Sequence, residues 1–359
     1  MEEEAIFIAA CDLDKTVYPP AGPHQLQQLH ANVEAMAAFE ETGGLVFPVT
    51  GNNLLMAQAK FDVNGERLRD LGAKPGVFMN GGLVLGPEGK ELERHALGHL
   101  HLTVGGATVG SDAVAAGPDV VTAMVRFFEE ARNAPLVERL GLLFFTPTHL
   151  LTVASVAANT AEYCRDQRVP LTTLSRDEVL DKREEMLLLL VLFPTHEAGG
   201  GAPLDYETVL RPWQERIKEA MEAAGILQCR TTAQDAPPGV GQGLKLTLQS
   251  APWPEIDVNV AGVDKGTALA RFLEAPSVKD YLGIDRESKV QPAKHVAVFG
   301  DAANDVPMFE AIGGERPGLR VAMPHATDAS LNALANERGE VSEVLQRLSA
   351  ARRAGAVRP

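Results

Sequence analysis

The apolar positions of the first third of the chain alternate between two periods. Residues 6–11 form an unbroken apolar run, the pattern of a strand covered on both faces. Over residues 24–42, Leu26, Leu29, Val33, Met36 and Phe39 recur at helical spacing, and Gly43-Gly44 supplies the stop. A second short strand is predicted at 45–49, where Pro48 marks an irregular strand end because it has no N–H to donate. A helix is predicted at 53–61, and residues 76–82 read as a third strand ending in a glycine turn. The order β-α-β-α-β is that of an α/β protein with a doubly wound parallel sheet.

After Gly86-Pro87 the pattern changes. Strands are predicted at 91–97, 142–145, 185–193, 244–248 and 255–260, and amphipathic helices at 119–132 and 206–224. Helices mixed with hairpin-like strands indicate an inserted α+β domain. The glycine-rich stretches 105–117 and 199–201 read as flexible surface loops, since no helix start follows either of them to make a phosphate cradle. The alternating pattern returns after Gly262, with a helix at 265–273 capped by Asp264, a strand at 295–299 and a helix at 306–312. The expected domains are therefore a core of residues 1–86 and 258–359 and an insert of residues 87–257.

Four core elements end or begin in groups that carry chemistry. The first strand runs into Asp12-Leu13-Asp14-Lys15-Thr16, and the second into Thr50-Gly51-Asn52. Lys265 opens a helix, where the macrodipole disfavours a cation unless an anion lies nearby. The strand at 295–299 runs into Gly300-Asp301-Ala302-Ala303-Asn304-Asp305. In an open α/β sheet the ligand crevice lies outside the carboxyl ends of the strands, so all four stretches are expected at one edge. A bare pair of aspartates is usually a solvated turn, but a hydroxyl, a lysine and two acidic pairs together describe a site for a divalent cation and a phosphate. Hard oxygen ligands suit Mg²⁺, which also compensates the mutual repulsion of clustered carboxylates.

Composition narrows the partners. The 359 residues are enough for about two domains. A formal net charge of -15 argues against nucleic acid and anionic membranes, which are held by lysine and arginine. Cys11, Cys164 and Cys229 stand in no metal-ligand spacing and read as reduced thiols of a cytoplasmic protein. The acidic start Met1-Glu2-Glu3-Glu4 is unlike a secretory signal, and the longest apolar run, 186–193, is too short to span a bilayer.

With these motifs the sequence resembles the haloacid dehalogenase superfamily, specifically its Cof-type (subfamily IIB) phosphatases with a C2-type cap. Asp12-Leu13-Asp14-Lys15-Thr16 matches the nucleophile motif, Thr50-Gly51 the phosphate-hydroxyl motif, Lys265 the lysine motif, and Gly300-Asp301-Ala302-Ala303-Asn304-Asp305 the metal motif. Asn80-Gly81-Gly82 and Val321-Ala322-Met323-Pro324 also look like the Cof-type pattern. The resemblance implies a Rossmann-like core and a cap that closes over the site and selects the substrate. It makes Asp12 the nucleophile, forming an aspartyl-phosphate, and Asp14 the general acid and then base. It assigns Thr50, Gly51, Lys265 and Asn304 to the phosphoryl group, with Asn304 orienting it or Lys265. Mg²⁺ falls to Asp12, the backbone carbonyl of Asp14, and Asp301, with Asp305 nearby or acting through water. Two positions depart from the family: Lys15 where glycine is usual, and Asn52 where many relatives carry arginine.

The expected activity is Mg²⁺-dependent hydrolysis of small phosphorylated metabolites, sugar phosphates foremost, by a monomer or homodimer. Alternatives are a phosphomutase of the phosphomannomutase type and a non-catalytic phosphosugar-binding regulator. The mutase calls for paired arginines in the cap, and no clear cluster is seen. The regulator has no need of both a nucleophile and an acid. A glycine-loop kinase lacks its G-x-x-x-x-G-K-[ST] signature. In the cap, Arg126, Arg132, His149, Arg183 and Lys245 read as solvated surface charges, and none is assigned to the site.

Overall fold

The computed structural model describes residues 6–72, 74–103, 116–199, 201–231, 240–250, 253–287, 290–313 and 318–356. The chain forms two compact units, Met1–Glu93 with Asp264–Pro359, and Arg94–Val263.

The first unit is built on a five-stranded parallel sheet. Its strands are β1 (Ile8–Cys11), β2 (Leu45–Pro48), β3 (Val296–Gly300), β4 (Leu319–Ala322) and β5 (Glu337–Arg338), in the order β5-β4-β3-β1-β2. Cys11 stands level with Phe299 of β3 and Pro48 of β2. Every residue of β1, β2 and β3 is buried, which is why these strands read as unbroken apolar runs. Val49 donates to the carbonyl of Cys11, so the preceding Pro48 turns its missing donor away from β1, and the ladder loses nothing.

Helix α1 (Gln25–Glu40) buries Leu29, Asn32, Met36 and Phe39 at helical spacing. Asn32, the polar member of that stripe, donates to the carbonyl of Val17 and accepts from the backbone of Ser342. The other helices of interest are α2 (Leu54–Phe61), α3 (Lys265–Glu274), α4 (Val306–Ala311) and α5 (Val341–Ala356). Helix α1 packs on α5, and α3 packs on α4.

The third predicted strand is placed differently. Gly76–Phe78 pairs antiparallel with Leu83–Leu85, and these two belong with Glu91–Arg94 to a separate three-stranded sheet that touches β2 through a single bridge, Val49 to Val77. The reversal comes from Met79, Asn80 and Gly81, whose φ values of 51°, 53° and 103° turn the chain back at once instead of carrying it through a helical crossover. The predicted edge strand at 91–97 is the short outer strand Glu91–Arg94 of this sheet.

The second unit has a six-stranded sheet in the order Leu171–Leu174, Leu150–Val153, Gly141–Phe145, Leu188–Leu192, Glu255–Val260, Leu244–Gln249. All neighbours are antiparallel except the first pair. Helices Val120–Glu129 and Arg211–Ala223 contribute Phe127, Phe128, Ile217 and Met221 to a core with Phe144, Val191 and Val258 of the sheet. Both helices are shorter than predicted. The first is capped by Asp119 and ends at Glu129. The second is preceded by one wide turn, Tyr206–Leu210, because Pro212 has no N–H to offer the preceding turn. Most of the glycine-rich stretch 105–117, and Gly200 of the other, lie outside the described residues. Among the described residues no helix is long and apolar enough to cross a membrane.

Candidate active site

Three adjacent strands of the first unit, β3, β1 and β2, end at one edge of the sheet because they are parallel. Asp301, Asp12 and Thr50 follow those ends directly or within two residues, so adjacency in the sheet brings together residues distant in sequence. Helix α3 supplies Lys265 to the same place. Asp264 caps it by accepting from the backbone of Thr267, leaving Lys265 as the first helical residue.

Lys265 is fully buried and its ammonium bridges two carboxylates, 2.5 Å from Asp12 Oδ1 and 2.6 Å from Asp305 Oδ1. Burial alone would push the lysine towards neutrality, but the two carboxylates more than offset this and hold it charged. The anion that would offset the macrodipole's penalty on a first-turn lysine is thus present twice. Burial pushes the Asp12 carboxyl well above the usual range. Lys265 opposes that rise, and Asp305, Asp14 and Asp301 add to it.

Both oxygens of Asp305 accept hydrogen bonds. Its Oδ1 takes Lys265, and its Oδ2 takes the backbone N–H groups of Asp301 at 2.9 Å and Ala302 at 3.2 Å. Gly300 permits this, since a Cβ there would stand 2.5 Å from that same Oδ2. Asp301, by contrast, has among the described residues the Thr16 hydroxyl at 3.5 Å and His325 Nε2 at 3.8 Å beside its carboxylate. Its carboxyl is pushed up to about 6, first by burial and then by Asp305, against the opposing charges of Lys15 and Lys265.

Oxygens of Asp12, Asp301 and Asp305 lie within 4.8 Å of one another. Such crowding of three carboxylates around one lysine fits a hard divalent cation. Because both Asp305 oxygens are engaged, the residues suited to direct contact are Asp12 and Asp301.

The Thr50 hydroxyl, fully buried, accepts from both the backbone N–H of Asn52 at 3.1 Å and its side-chain amide at 3.0 Å. Gly51 follows, and a Cβ on it would stand 3.2 Å from Asn80 Oδ1, a buried oxygen with no hydrogen-bond partner. The backbone N–H of Asn80 donates in turn to the Thr50 carbonyl.

Asp14 follows Asp12 into a turn closed by Val17 N–H to the Asp12 carbonyl and Tyr18 N–H to the Leu13 carbonyl. The turn needs a left-handed residue at position 15, where Lys15 adopts φ 57°. Both departures from the family pattern therefore have a structural correlate: a side chain at a position that favours glycine, and Asn52 hydrogen-bonded within the site.

Asn304 lies half-buried in the single turn Ala303–Asp305, and the partners of Lys265 are Asp12 and Asp305. Sequence reasoning missed Lys60, whose ammonium sits 2.6 Å from Asp14 Oδ1, and His325 beside Asp301. Lys60 looks in sequence like any lysine at a helix end. The three cysteines are unpaired and buried, and burial pushes the thiols of Cys164 and Cys229 up to about 11, which leaves them inert.

Residues 226–338, which include Lys265, Asp301 and Asp305, match the family model of the haloacid dehalogenase-like hydrolases, Hydrolase_3. The fold likeness extends well beyond the matched segment. A HAD/COF-like hydrolase from Plasmodium vivax superposes with a TM-score of 0.61 at 17% identity, over 97% of this chain and 99% of that one. BT1666, a HAD-superfamily phosphatase from Bacteroides thetaiotaomicron, gives 0.55 at 14% identity, over 99% and 97%. The HAD subclass IIB sugar phosphatase BT4131 gives 0.56 at 15% identity, over 98% and 99%. No curated protein sequence matches the chain. At such identities the solved structures establish the shared fold, and Asp12, Thr50 and Asp301 stand at the carboxyl edge of its parallel sheet.

Proposed function

We propose that the protein is a phosphomonoesterase that hydrolyses small phosphorylated metabolites, sugar phosphates foremost, through an aspartyl-phosphate on Asp12. The observation that carries this reading is the convergence of Asp12, Lys265, Thr50 and Asp301 at the ends of three adjacent parallel strands. Asp12 attacks phosphorus while the P–O bond to the leaving group breaks. Asp14 gives its proton to the leaving oxygen, and then takes a proton from the water that attacks the aspartyl-phosphate. The Thr50 hydroxyl, the Gly51 backbone and the Lys265 ammonium hold the phosphoryl oxygens, and Asn304 lies on the adjoining turn. The lysine also opposes the burial-driven rise of the Asp12 carboxyl and so favours its ionised, nucleophilic form.

Asp12, the backbone carbonyl of Asp14, and Asp301 would hold Mg²⁺, with Asp305 fixing the loop that carries Asp301. The ion, when bound, offsets charge on the phosphoryl group. The reading extends to residues 87–257 as the cap that selects the substrate, and to a cytoplasmic monomer or homodimer.

The test is phosphate release from a panel of sugar phosphates, nucleotides and glycerol phosphates, with and without Mg²⁺, for wild type beside Asp12→Asn. Metal-dependent release that falls roughly 10³-fold or more in the variant is expected. Isomer exchange of a sugar bisphosphate without release would transfer the reading to a mutase, and silence in both assays would leave a binding protein.

A further inference from the structure

Asp14 is held from two sides. Asn52 donates its side-chain amide to Oδ2 at 2.6 Å, and Lys60 places its ammonium 2.6 Å from Oδ1. Both donors are anchored elsewhere. The same Asn52 amide reaches the Thr50 hydroxyl at 3.0 Å, and the Lys60 ammonium lies 5.5 Å from the centre of the Tyr18 ring. Exposure is unequal across the pair: the Lys60 side chain is 10% exposed and that of Asp14 50%. A solvated surface pair would have both ends in water and little geometric constraint. Here the cation is the buried partner, and the carboxylate is the end presented to solvent.

Two donors on the two oxygens of one carboxylate fix its plane as well as its position, which one donor cannot do. The lysine comes from the last turn of α2, and the asparagine from the loop that starts it. Residues 50–60 thus reach the site twice, once through Thr50 and once through this clamp.

We propose that Lys60 is a positioning residue that, with Asn52, fixes the carboxylate of Asp14 facing the leaving-group side of the site. Its catalytic consequence rests on the phosphatase reading, whereas the contact itself rests on the geometry alone. Loss of the clamp misplaces the proton donor and leaves the phosphate contacts of Thr50 and Lys265 intact.

The experiment uses the full chain with Lys60→Met, which keeps an apolar stem against Tyr18, and with Lys60→Arg, which restores a cation. Steady-state turnover on the best substrate of the panel is expected to show kcat down by about 10²-fold in Lys60→Met with KM nearly unchanged. Lys60→Arg is expected to recover most of the loss. In an Asp14→Asn background, Lys60→Met is expected to have no further effect, because the group it positions is gone. A raised KM with kcat intact, or an equal loss in both backgrounds, overturns the proposal.

A second readout needs no turnover. The Asp14 carboxyl carbon, assigned in ¹³C-aspartate-labelled protein by its disappearance in Asp14→Asn, is expected to shift in Lys60→Met and return towards its position in Lys60→Arg. An unmoved resonance overturns the clamp even if the protein is a phosphatase. A shifted resonance in a protein that releases no phosphate overturns the phosphatase reading, and with it the catalytic role, while the contact stands.

Discussion

The ammonium of Lys265 and the carboxylate of Asp305 lie 2.6 Å apart with neither side chain exposed, and the same ammonium reaches Asp12 at 2.5 Å. One cation therefore compensates two buried anions, one directly after β1 and one in the turn that follows β3. Removing it strands both. Lys265→Met is expected to destabilise the protein by about 3–5 kcal/mol, the range for breaking a buried pair from one side, and to abolish turnover. Asp12→Asn keeps Lys265 paired with Asp305 and is expected to lose activity at a much smaller cost in stability. Urea unfolding of the two variants beside wild type checks the contrast, and equal destabilisation would count against it.

Asp301 gives the site a pH dependence whose sign follows from its raised carboxyl. Burial and then Asp305 lift it from 3.8 to about 6, so ionisation in the metal-free fold is penalised. The group contributes most to stability below its unfolded value, and that contribution is lost as pH rises through the window from 3.8 to about 6. A divalent cation relieves the penalty only where the carboxylate is ionised, and protons compete with it below about 6. The Mg²⁺-induced rise in unfolding temperature is therefore expected to be larger at pH 7.5 than at pH 5 and small in Asp301→Asn. Equal shifts at both pH values would argue that Asp301 is not at the cation.

How much of this was legible in sequence depends on whether a feature is local. The strand ends at Asp12, Thr50 and Asp301 were readable because a buried parallel strand is an unbroken apolar run and its end is abrupt. Lys265 was readable because a first-turn lysine calls for an anion. The order β3-β1-β2, which makes those ends neighbours, is a property of the assembled sheet and has no local signal. The stretch 76–82 reads in sequence as a further parallel strand because the left-handed φ of Met79 and Asn80, both non-glycine, has no reliable mark in sequence. Lys60 escaped notice for a similar reason, since its partner lies 46 positions earlier, at Asp14.

In the second unit Glu255 and Asp257 stand two apart on one strand and so share a face. Asp257 Oδ1 and Glu255 Oε2 are buried oxygens without a hydrogen-bond partner among the described residues. Burial pushes the Asp257 carboxyl up to about 6 against a hydrogen bond from Gln249, and burial with the Asp257 charge lifts Glu255 well above its usual range. Stability from Asp257 is therefore present at low pH and lost as pH rises through about 6. Asp257→Asn removes the charge at constant shape and is expected to stabilise the protein by about 1–2 kcal/mol at pH 8, with the gain shrinking towards pH 4. Urea unfolding at both pH values is the check, and destabilisation at pH 8 would show that the charge is compensated.

Gly266 is the residue on which the placement of Lys265 depends. Helix α3 runs so close to α4 that a Cβ at position 266 would stand 2.1 Å from the backbone carbonyl oxygen of Pro307. A side-chain neighbour could rotate aside, but a carbonyl can yield only if the helices part. Gly266→Ala gains the usual helix preference for alanine, about 1 kcal/mol, and this is too little to offset the overpacking, which costs up to about 3 kcal/mol, and more where backbone must move. Parting α3 from α4 also draws Lys265 away from Asp305, which stands at the start of α4. The variant is expected to lose net stability and to lose activity beyond the fraction unfolded. Turnover measured well below its melting temperature, alongside urea unfolding, separates the two effects. An alanine variant with wild-type stability and turnover would mean that the close helix approach is not what seats the lysine.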